Sequence, residues 1–428
     1  MKTKISIFFA ALILIASVSA QAQINQLPHL SYYPRQAALN EGDFKEAIKG
    51  YQSEVRGSMK SVSSRWIDSI CTYTMLGEAY YAVGDFEKAI ENYNAALNIY
   101  VQYYNWMMDV KFLSASINPQ TNRQLNIPWG IGARKKTLGA FPDTFSIQRG
   151  QVNQYDTVKH GGTVVMAHLL QVDIAEIWQC TALSLYRRYE LLGPLCKEDP
   201  LTDQCISKLS TRPAPPNHWS QTWVDVALGM AYLGAEKNDL AIPLLSRGTV
   251  CAGQFDHPLT AIAFLALARQ AMHSGNNTAA VQYYHEATVA AICYSRITSS
   301  GTILAEAFKG MSAAHLAGNP KTPCPALQPA IQWAKVKAGR RLQVVLNVCM
   351  AENLLYFQKP ADAANYLKEA QAKFVGRDSR FQKSARNSTT PWRKCTTSSV
   401  KFQKETRLWQ SRWNSWLTLR PGCISLTF

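Results

Sequence analysis

The sequence predicts an all-α fold in which antiparallel helical hairpins stack into a solenoid that an irregular segment interrupts. Three observations predict it. Residues 76–97 have the pattern of two helices joined by a Gly-Asp turn, this pattern recurs along the chain, and Pro and Gly break up residues 104–163. A single hairpin of this kind cannot bury its apolar face alone. Copies of it must therefore stack on one another.

The hairpin of residues 76–97 alternates small and large side chains on its apolar faces. Gly84 and Asp85 form its turn. Small residues allow two helices to cross closely, and large ones fill the gaps beside them. The small and large residues recur at the spacing of one helix face: Leu76, Gly77 and Tyr80 before the turn, and Phe86, Ala89, Ile90, Tyr93 and Ala96 after it.

The hairpin recurs. GDFKEAIKGY at residues 42–51 matches GDFEKAIENY at residues 84–93. Further copies, weaker toward the C-terminus, lie at residues 228–241, 275–287, 304–337 and 344–374. The pattern resembles the tetratricopeptide repeat, a motif of about 34 residues, although Val101 stands where that family usually has a helix-ending Pro. We expect about five or six repeats. The alternative is an ordinary helical bundle.

The repeat pattern divides the chain into segments. We expect a signal peptide at residues 1–22, repeats at 28–103, an irregular insertion at 104–163, a degenerate helical repeat with a Pro-rich loop at 164–220, repeats at 222–375, and a basic tail at 376–428. Within the insertion, Thr144 to Gln148 could form part of a small β-hairpin. Helical spacing returns at residues 164–192, where we interpret Arg187 and Arg188 as part of a solvated helix face. The alternative is a charged patch that they form with Asp173 and Glu176.

The N-terminus has the features of a secretory signal. Basic residues 1–4 precede an apolar run at residues 5–18, and small residues at 18–20 suit cleavage. The run is shorter than the ~20 residues of a spanning helix. We therefore predict a secreted or periplasmic protein. The alternative is an N-terminal membrane anchor.

The net charge of +16 is concentrated in the tail, residues 376–428, which hold four Lys and seven Arg against one Asp and one Glu. The repeats themselves are only mildly basic, which argues against nucleic acid as a partner. We expect the tail to be disordered. Two alternatives are a membrane-docking basic amphipathic helix around Trp409 to Trp416 and a shifted reading frame.

The ten cysteines fit an oxidising compartment, but most fall within helical patterns, where Cys is commonly a core residue. Cys196 and Cys205 flank a turn-rich segment and could form a local disulfide, or remain core thiols. No Cys or His cluster has the spacing of metal ligands.

Three catalytic motifs are incomplete. GIGARKKT at residues 130–137 lacks the glycine before the lysine of a phosphate-binding loop, and Val289 replaces the second ligand of a zinc-protease helix that would begin at His285. His160 to Gly162 is not accompanied by a nucleophile elbow. We therefore expect no enzyme, no cofactor and no metal. The alternative is an all-α secreted enzyme or sugar-binding domain with its site in residues 104–163.

The resemblance implies a partner-binding groove. In the tetratricopeptide family the first helices of successive repeats line a concave groove, which predicts a protein or peptide partner here. Any membrane contact would come from an uncleaved signal segment or the basic tail. The corresponding groove positions are Thr74, Glu78, Tyr81, Trp223, Met230, Leu233, Arg269, His273, His315, Glu352 and Tyr356.

Overall fold

The protein is described from a computed structural model. The structure describes residues 26–60, 64–112, 114–120, 126–134, 137–149, 168–294 and 299–374. These residues contain fourteen α-helices, so the prediction of a mainly helical fold is confirmed, but they also contain seven short strands. The predicted signal peptide and the basic tail lie outside the described residues.

The helices follow the predicted repeats. They are α1 (Tyr32–Asn40), α2 (Phe44–Gly57), α3 (Asp68–Ala82), α4 (Phe86–Gln102), α5 (Ile174–Leu192), α6 (Pro200–Ser210) and α7 (Gln221–Gly234) in the first part of the chain. The second part contains α8 (Asn238–Arg247), α9 (Thr260–His273), α10 (Asn277–Cys293), α11 (Ser300–Ala317), α12 (Leu327–Lys337), α13 (Arg340–Tyr356) and α14 (Pro360–Phe374). Five pairs pack as close hairpins: α1/α2, α3/α4, α7/α8, α9/α10 and α13/α14.

The α3/α4 hairpin shows why these residues form it. Gly84 has a φ of +80°, the left-handed conformation that the turn requires and that glycine adopts without strain. The Asp85 side chain then accepts a hydrogen bond from the Lys88 amide and caps α4. A Cβ atom on Gly77 would lie 2.6 Å from Cε1 of Tyr93. Gly77 is therefore what allows the two helices to cross this closely.

The hairpin array closes on itself. Among the first helices, α3 contacts α5, α5 contacts both α7 and α9, α9 contacts α11, and α11 contacts α13. Helix α13 then returns to contact α1. Gly339 and Gly301 both lie against Asn40 at the end of α1, where a Cβ on Gly339 would be 2.6 Å from the Asn40 carbonyl oxygen. Arg340 Nε forms an ion pair with Glu41 at 2.7 Å. The two ends of the array are thus joined.

The insertion is more regular than predicted. It contributes β2 (Val110–Lys111), β3 (Asn118–Pro119), β4 (Thr137–Ala140) and β5 (Phe145–Arg149), while β1 (Gln26–Leu27), β6 (His168–Val172) and β7 (Phe255–Asp256) flank it or lie in the repeats. One sheet has the order β1-β6-β5-β2, and the other has the order β3-β4-β7. The extended run predicted at Thr144 to Gln148 is confirmed with a shift of one residue, as β5 at Phe145–Arg149, and β6 runs antiparallel to it.

Two expectations about helical segments were wrong. Residues 168–172 form β6 instead of helix, because the insertion returns alongside β5 and provides backbone partners there. The expected repeat at residues 304–337 is not a simple hairpin, because α12 packs against α13. Within the described residues, no helix has the length and apolar character needed to cross a membrane.

Candidate functional site

A buried ion-pair network lies where the first helices face one another. Arg187 of α5 donates to Glu78 of α3 from Nε at 2.7 Å and from Nη2 at 3.0 Å. Its Nη1 donates to Glu190 at 2.5 Å, and its Nη2 lies 3.3 Å from Glu306 of α11. Arg187 and Glu78 are fully buried. A charge at this depth is tolerated only because it is multiply paired.

Four more side chains extend the network. Arg341 of α13 lies 4.0 Å from Glu78, Arg269 of α9 lies 3.7 Å from Glu190, and Lys309 lies 3.0 Å from Glu306. The hydroxyl of Tyr93 donates to Glu78 at 2.7 Å. We call the seven charged residues the inner network: Glu78, Arg187, Glu190, Arg269, Glu306, Lys309 and Arg341.

The network fixes the charge of one of its carboxylates, Glu306. Although burial opposes ionisation, Arg187 and then Lys309 hold the pKa of Glu306 well below its usual range. Glu306 is therefore ionised at neutral pH. Five first helices from distant parts of the chain, α3, α5, α9, α11 and α13, carry these charges, so the network forms a floor on the inner side of the array.

A row of aromatic and imidazole side chains borders this floor. Each belongs to the last turn of a first helix: Tyr81, Tyr189, His273, His315 and Tyr356. We call these five residues the rim. All are partly exposed, unlike the core residues of the same helices, and Tyr356 is 41% exposed.

Contacts between neighbouring helix ends join part of the rim. The Tyr81 hydroxyl donates to Glu190 at 2.9 Å, and the Tyr189 hydroxyl lies 3.3 Å from His273 Nδ1. The rim ends where the Tyr356 hydroxyl donates to Asn319 at 3.1 Å.

Two groups along the rim have shifted pKa values. Burial, followed by the charge of Arg269, lowers the pKa of His273 to about 4. Burial raises the pKa of Glu352 on α13 to about 7, against a smaller opposite effect of Lys309. His273 is therefore neutral at physiological pH, and Glu352 is close to half protonated.

The structure separates the predicted groove positions into three sets. Glu78 and Arg269 belong to the inner network, whereas Tyr81, His273, His315 and Tyr356 form the rim, with Glu352 on the same inner side. The remaining four are 0–2% exposed and pack in the core: Thr74, Trp223, Met230 and Leu233. These four do not line an accessible surface. The reason is that α3 and α7 each pack against α5, which covers their inner faces.

The sequence interpretation missed Arg187, Glu190 and Glu306. Arg187 and Arg188 were expected on a solvated face, but both are buried. Their partners explain this, because Arg187 pairs with Glu78 and Glu306, while Arg188 pairs with Asp199 at 2.8 Å. One feature of the sequence could have identified them. Arg187 and Glu306 lie on first helices, the helices that also carry the predicted groove residues.

Residues 130–134, the described start of the basic motif at residues 130–137, anchor the insertion to the repeats. Both terminal nitrogens of Arg134 donate to Asp256, at 3.1 and 3.2 Å, and its Nε donates to Glu286 at 3.3 Å. A Cβ on Gly132 would collide with the Glu286 carboxylate. His285, considered as a metal ligand, instead contacts the Trp129 carbonyl at 3.2 Å. This segment is thus a structural anchor.

The remaining site expectations concern cysteines and metals. Cys196 and Cys205 are both buried and free, so the structure does not contain the disulfide considered for them. Cys196 Sγ instead lies 3.4 Å from the Thr202 hydroxyl. Among the described residues, no group of three or more His, Cys, Asp or Glu side chains could hold a metal ion. His160 to Gly162 lie outside those residues.

A cavity of about 570 Å³ lies between α12, α13 and α14. Its lining includes Ile331, Met350 and Leu354, with Lys335 and Glu369 at its polar side. It contains none of the predicted groove residues and is separate from the rim.

Comparison with known proteins agrees with the hairpin pattern in two regions. Two tetratricopeptide-repeat family models match the chain, one over residues 36–101 and the other over residues 226–292. A comparison with curated proteins finds no match. The first region falls within α1–α4 and the second within α7–α10. Residues 36–101 and 226–292 are therefore similar to tetratricopeptide repeats.

Proposed function

We propose that this protein is a non-catalytic scaffold outside the cytoplasm, which binds a protein or peptide partner through the rim. Tetratricopeptide repeats generally mediate protein–protein interactions. The observation that carries the proposal is the set of partly exposed Tyr and His side chains in the last turns of five inner helices, α3, α5, α9, α11 and α13. It replaces the wider groove that the sequence predicts.

The chemistry of the rim suits a polypeptide partner. Tyr and His combine an apolar ring with a polar atom, and aromatic residues are enriched at protein interfaces. The inner network positions the Tyr81 ring through its 2.9 Å hydrogen bond to Glu190. Pre-ordered side chains lose less conformational entropy when they bind. The rim is therefore suited to apolar anchors of an extended peptide.

The proposed location rests on the N-terminal sequence. A basic start, a short apolar run and small residues suit export and cleavage. We propose a secreted or periplasmic protein whose membrane contact, if any, is made by an uncleaved signal segment or the basic tail. Nucleic acid is not proposed as a partner, because the charge of the chain is concentrated in that tail.

Site-specific photocrosslinking tests the rim directly. A photoreactive phenylalanine analogue would be placed at His273 or at Tyr356 in the full chain, expressed in its native host. Leu240 on α8, which is 51% exposed and lies away from the rim, gives the matched control position. We expect both rim positions, but not position 240, to crosslink to the same polypeptide. Adducts from position 240 alone, or from none of the three, would contradict the proposal.

A binding measurement completes the test. For the polypeptide identified in this way, we expect His273→Ala combined with Tyr356→Ala to weaken affinity at least about tenfold, as expected for two aromatic contacts. Leu240→Ala should leave affinity unchanged. Helical circular dichroism of each variant shows whether the fold is retained.

A further inference from the structure

Cys71 on α3 and Cys180 on α5 lie side by side in the core. Both are 0% exposed, and their thiols interact directly. Both thiols are free in this structure. Residues far apart in the sequence are thus brought into contact at the crossing of two inner helices.

The crossing is close because small side chains line it. The Thr74 hydroxyl lies 2.8 Å from the Ser184 hydroxyl and 3.3 Å from the Cys180 carbonyl oxygen, so α3 side chains reach the α5 backbone. On the other side, the Tyr32 hydroxyl lies 4.0 Å from Cys180 Sγ. A disulfide requires such closeness, with Cα atoms about 4.4–6.8 Å apart.

We propose that Cys71 and Cys180 form an interhelix disulfide when the protein folds in an oxidising compartment. The oxidant is the disulfide of a thiol oxidoreductase. One cysteine thiolate attacks that disulfide, and the second then displaces the enzyme, so that one S–S bond forms here and the oxidant is reduced to a dithiol. The two thiol protons of this protein are released or transferred to the oxidant's thiolates.

The bond must form during folding, not afterwards. Burial raises the pKa of both thiols, that of Cys180 to about 11, so the reactive thiolate is scarce in the folded protein. Burial also keeps an oxidoreductase from reaching either sulfur. A protein that folds under reducing conditions should therefore keep this pair reduced even after later exposure to glutathione disulfide.

The functional consequence is a covalent link beneath the rim. Helix α3 carries Tyr81 and Glu78, and α5 carries Tyr189, Arg187 and Glu190. A bond between Cys71 and Cys180 would fix these two helices relative to each other. By closing a long loop it would also restrict the unfolded chain and raise the melting temperature.

The test is peptide mapping of the full chain made in two ways. One sample is exported into an oxidising bacterial periplasm, and the other is made in a reducing cytosol. Both are denatured, alkylated with iodoacetamide, digested without reduction and analysed by mass spectrometry. We expect a linked Cys71–Cys180 peptide pair, lighter than the separate peptides by two hydrogen atoms, in the exported sample alone. Alkylation of both residues in the exported, folded protein, or linkage of either to a different cysteine, would overturn the proposal.

Variants give a second measurement. Dithiothreitol should lower the melting temperature of the exported protein, and Cys71→Ser should abolish the part of that shift that the Cys71–Cys180 bond causes. Cys205→Ser, which changes another fully buried cysteine, should retain the Cys71–Cys180 linked peptide. Loss of the linked peptide in Cys205→Ser would count against a specific pair.

Discussion

Arg187 donates two hydrogen bonds to Glu78, at 2.7 and 3.0 Å, and both side chains are fully buried. The two residues belong to helices α5 and α3, on opposite sides of the long insertion. Arg187 also forms ion pairs with Glu190 and Glu306, so one guanidinium pairs with three carboxylates. The pairing explains how the insertion can interrupt the repeats without separating the helices that flank it.

Replacing Arg187 with Met should destabilise the protein strongly. The change leaves Glu78 and its neighbours without their central cation, and removal of one partner from a buried ion pair typically costs about 3–5 kcal/mol. Urea denaturation followed by circular dichroism measures the loss. Arg212→Met is the matched control, because the Arg212 side chain is 53% exposed and its pair with Asp225 should contribute about 0–1 kcal/mol. Equal losses in the two variants would show that the network contributes little.

Gly77→Ala should cost about 1–3 kcal/mol of unfolding free energy. The added Cβ would lie 2.6 Å from the buried Tyr93 ring, which the hydrogen bond to Glu78 holds in place. Gly57→Ala at the end of α2 is the control, because a Cβ there meets no atom within 4 Å. That variant should gain up to about 1 kcal/mol, since Ala favours helix over Gly. Chemical denaturation of both variants would reveal any departure from these opposite signs.

The stability of the protein should fall between about pH 4.5 and 7 through Glu352. Its pKa is raised from 4.5 to about 7 in the folded protein, so the folded state keeps a proton that the unfolded state loses. Since stability falls with pH wherever the folded state binds more protons, this contribution is complete below pH 4.5 and is lost as pH rises through 7.

Glu352→Gln tests that assignment, because an amide keeps the shape without ionising. We expect a gain of about 1–2 kcal/mol at pH 8 and little change near pH 4.5. Urea unfolding at several pH values makes the comparison, with Glu369→Gln, whose side chain is 48% exposed, as the control. The assignment fails if the pH dependence is the same in the wild type and in Glu352→Gln.

Arg134→Met should loosen the insertion. The variant removes the cation that Asp256 and Glu286 share, and the Arg134 side chain is 24% exposed, so we expect a cost of about 2–3 kcal/mol. Limited proteolysis should then cleave faster within residues 137–149. Lys111→Met, an exposed change in the same insertion, should leave the cleavage rate unchanged. Unchanged cleavage in Arg134→Met would mean that the strands alone hold this segment.

The hairpins could be predicted from the sequence because their information is local. Gly77, Tyr93 and the Gly84-Asp85 turn lie within one repeat, and the small and large residues that pack together recur at fixed spacing. The two family models match residues 36–101 and 226–292, where the repeat spacing is clearest in the sequence. Strand β6 was mistaken for helix because its apolar residues also fit a helical spacing, and only pairing with β5 decides between the two.

The site was less predictable because its contacts are not local. Transfer by family position placed Tyr81 and His273 on the inner side, where the rim lies. It also selected Trp223 and Met230, which are buried, because the position of α5 across the neighbouring helices is not encoded in any one repeat. Arg187 has the sequence pattern of a solvated cation. Its partners, Glu78 and Glu306, become visible only when three distant helices meet.

The contact between α1 and α13 changes how the loss of one hairpin would affect the unfolding of the array. In an open repeat array, each unit touches only its neighbours, and the ends can fray independently. Here Asn40 and Glu41 contact Gly339 and Arg340, so the terminal hairpins support each other. Deleting an internal hairpin would therefore break the contact between α1 and α13 as well as the packing between neighbouring hairpins. The protein is expected to unfold as a unit and, unlike open repeat arrays, to have a fixed number of repeats.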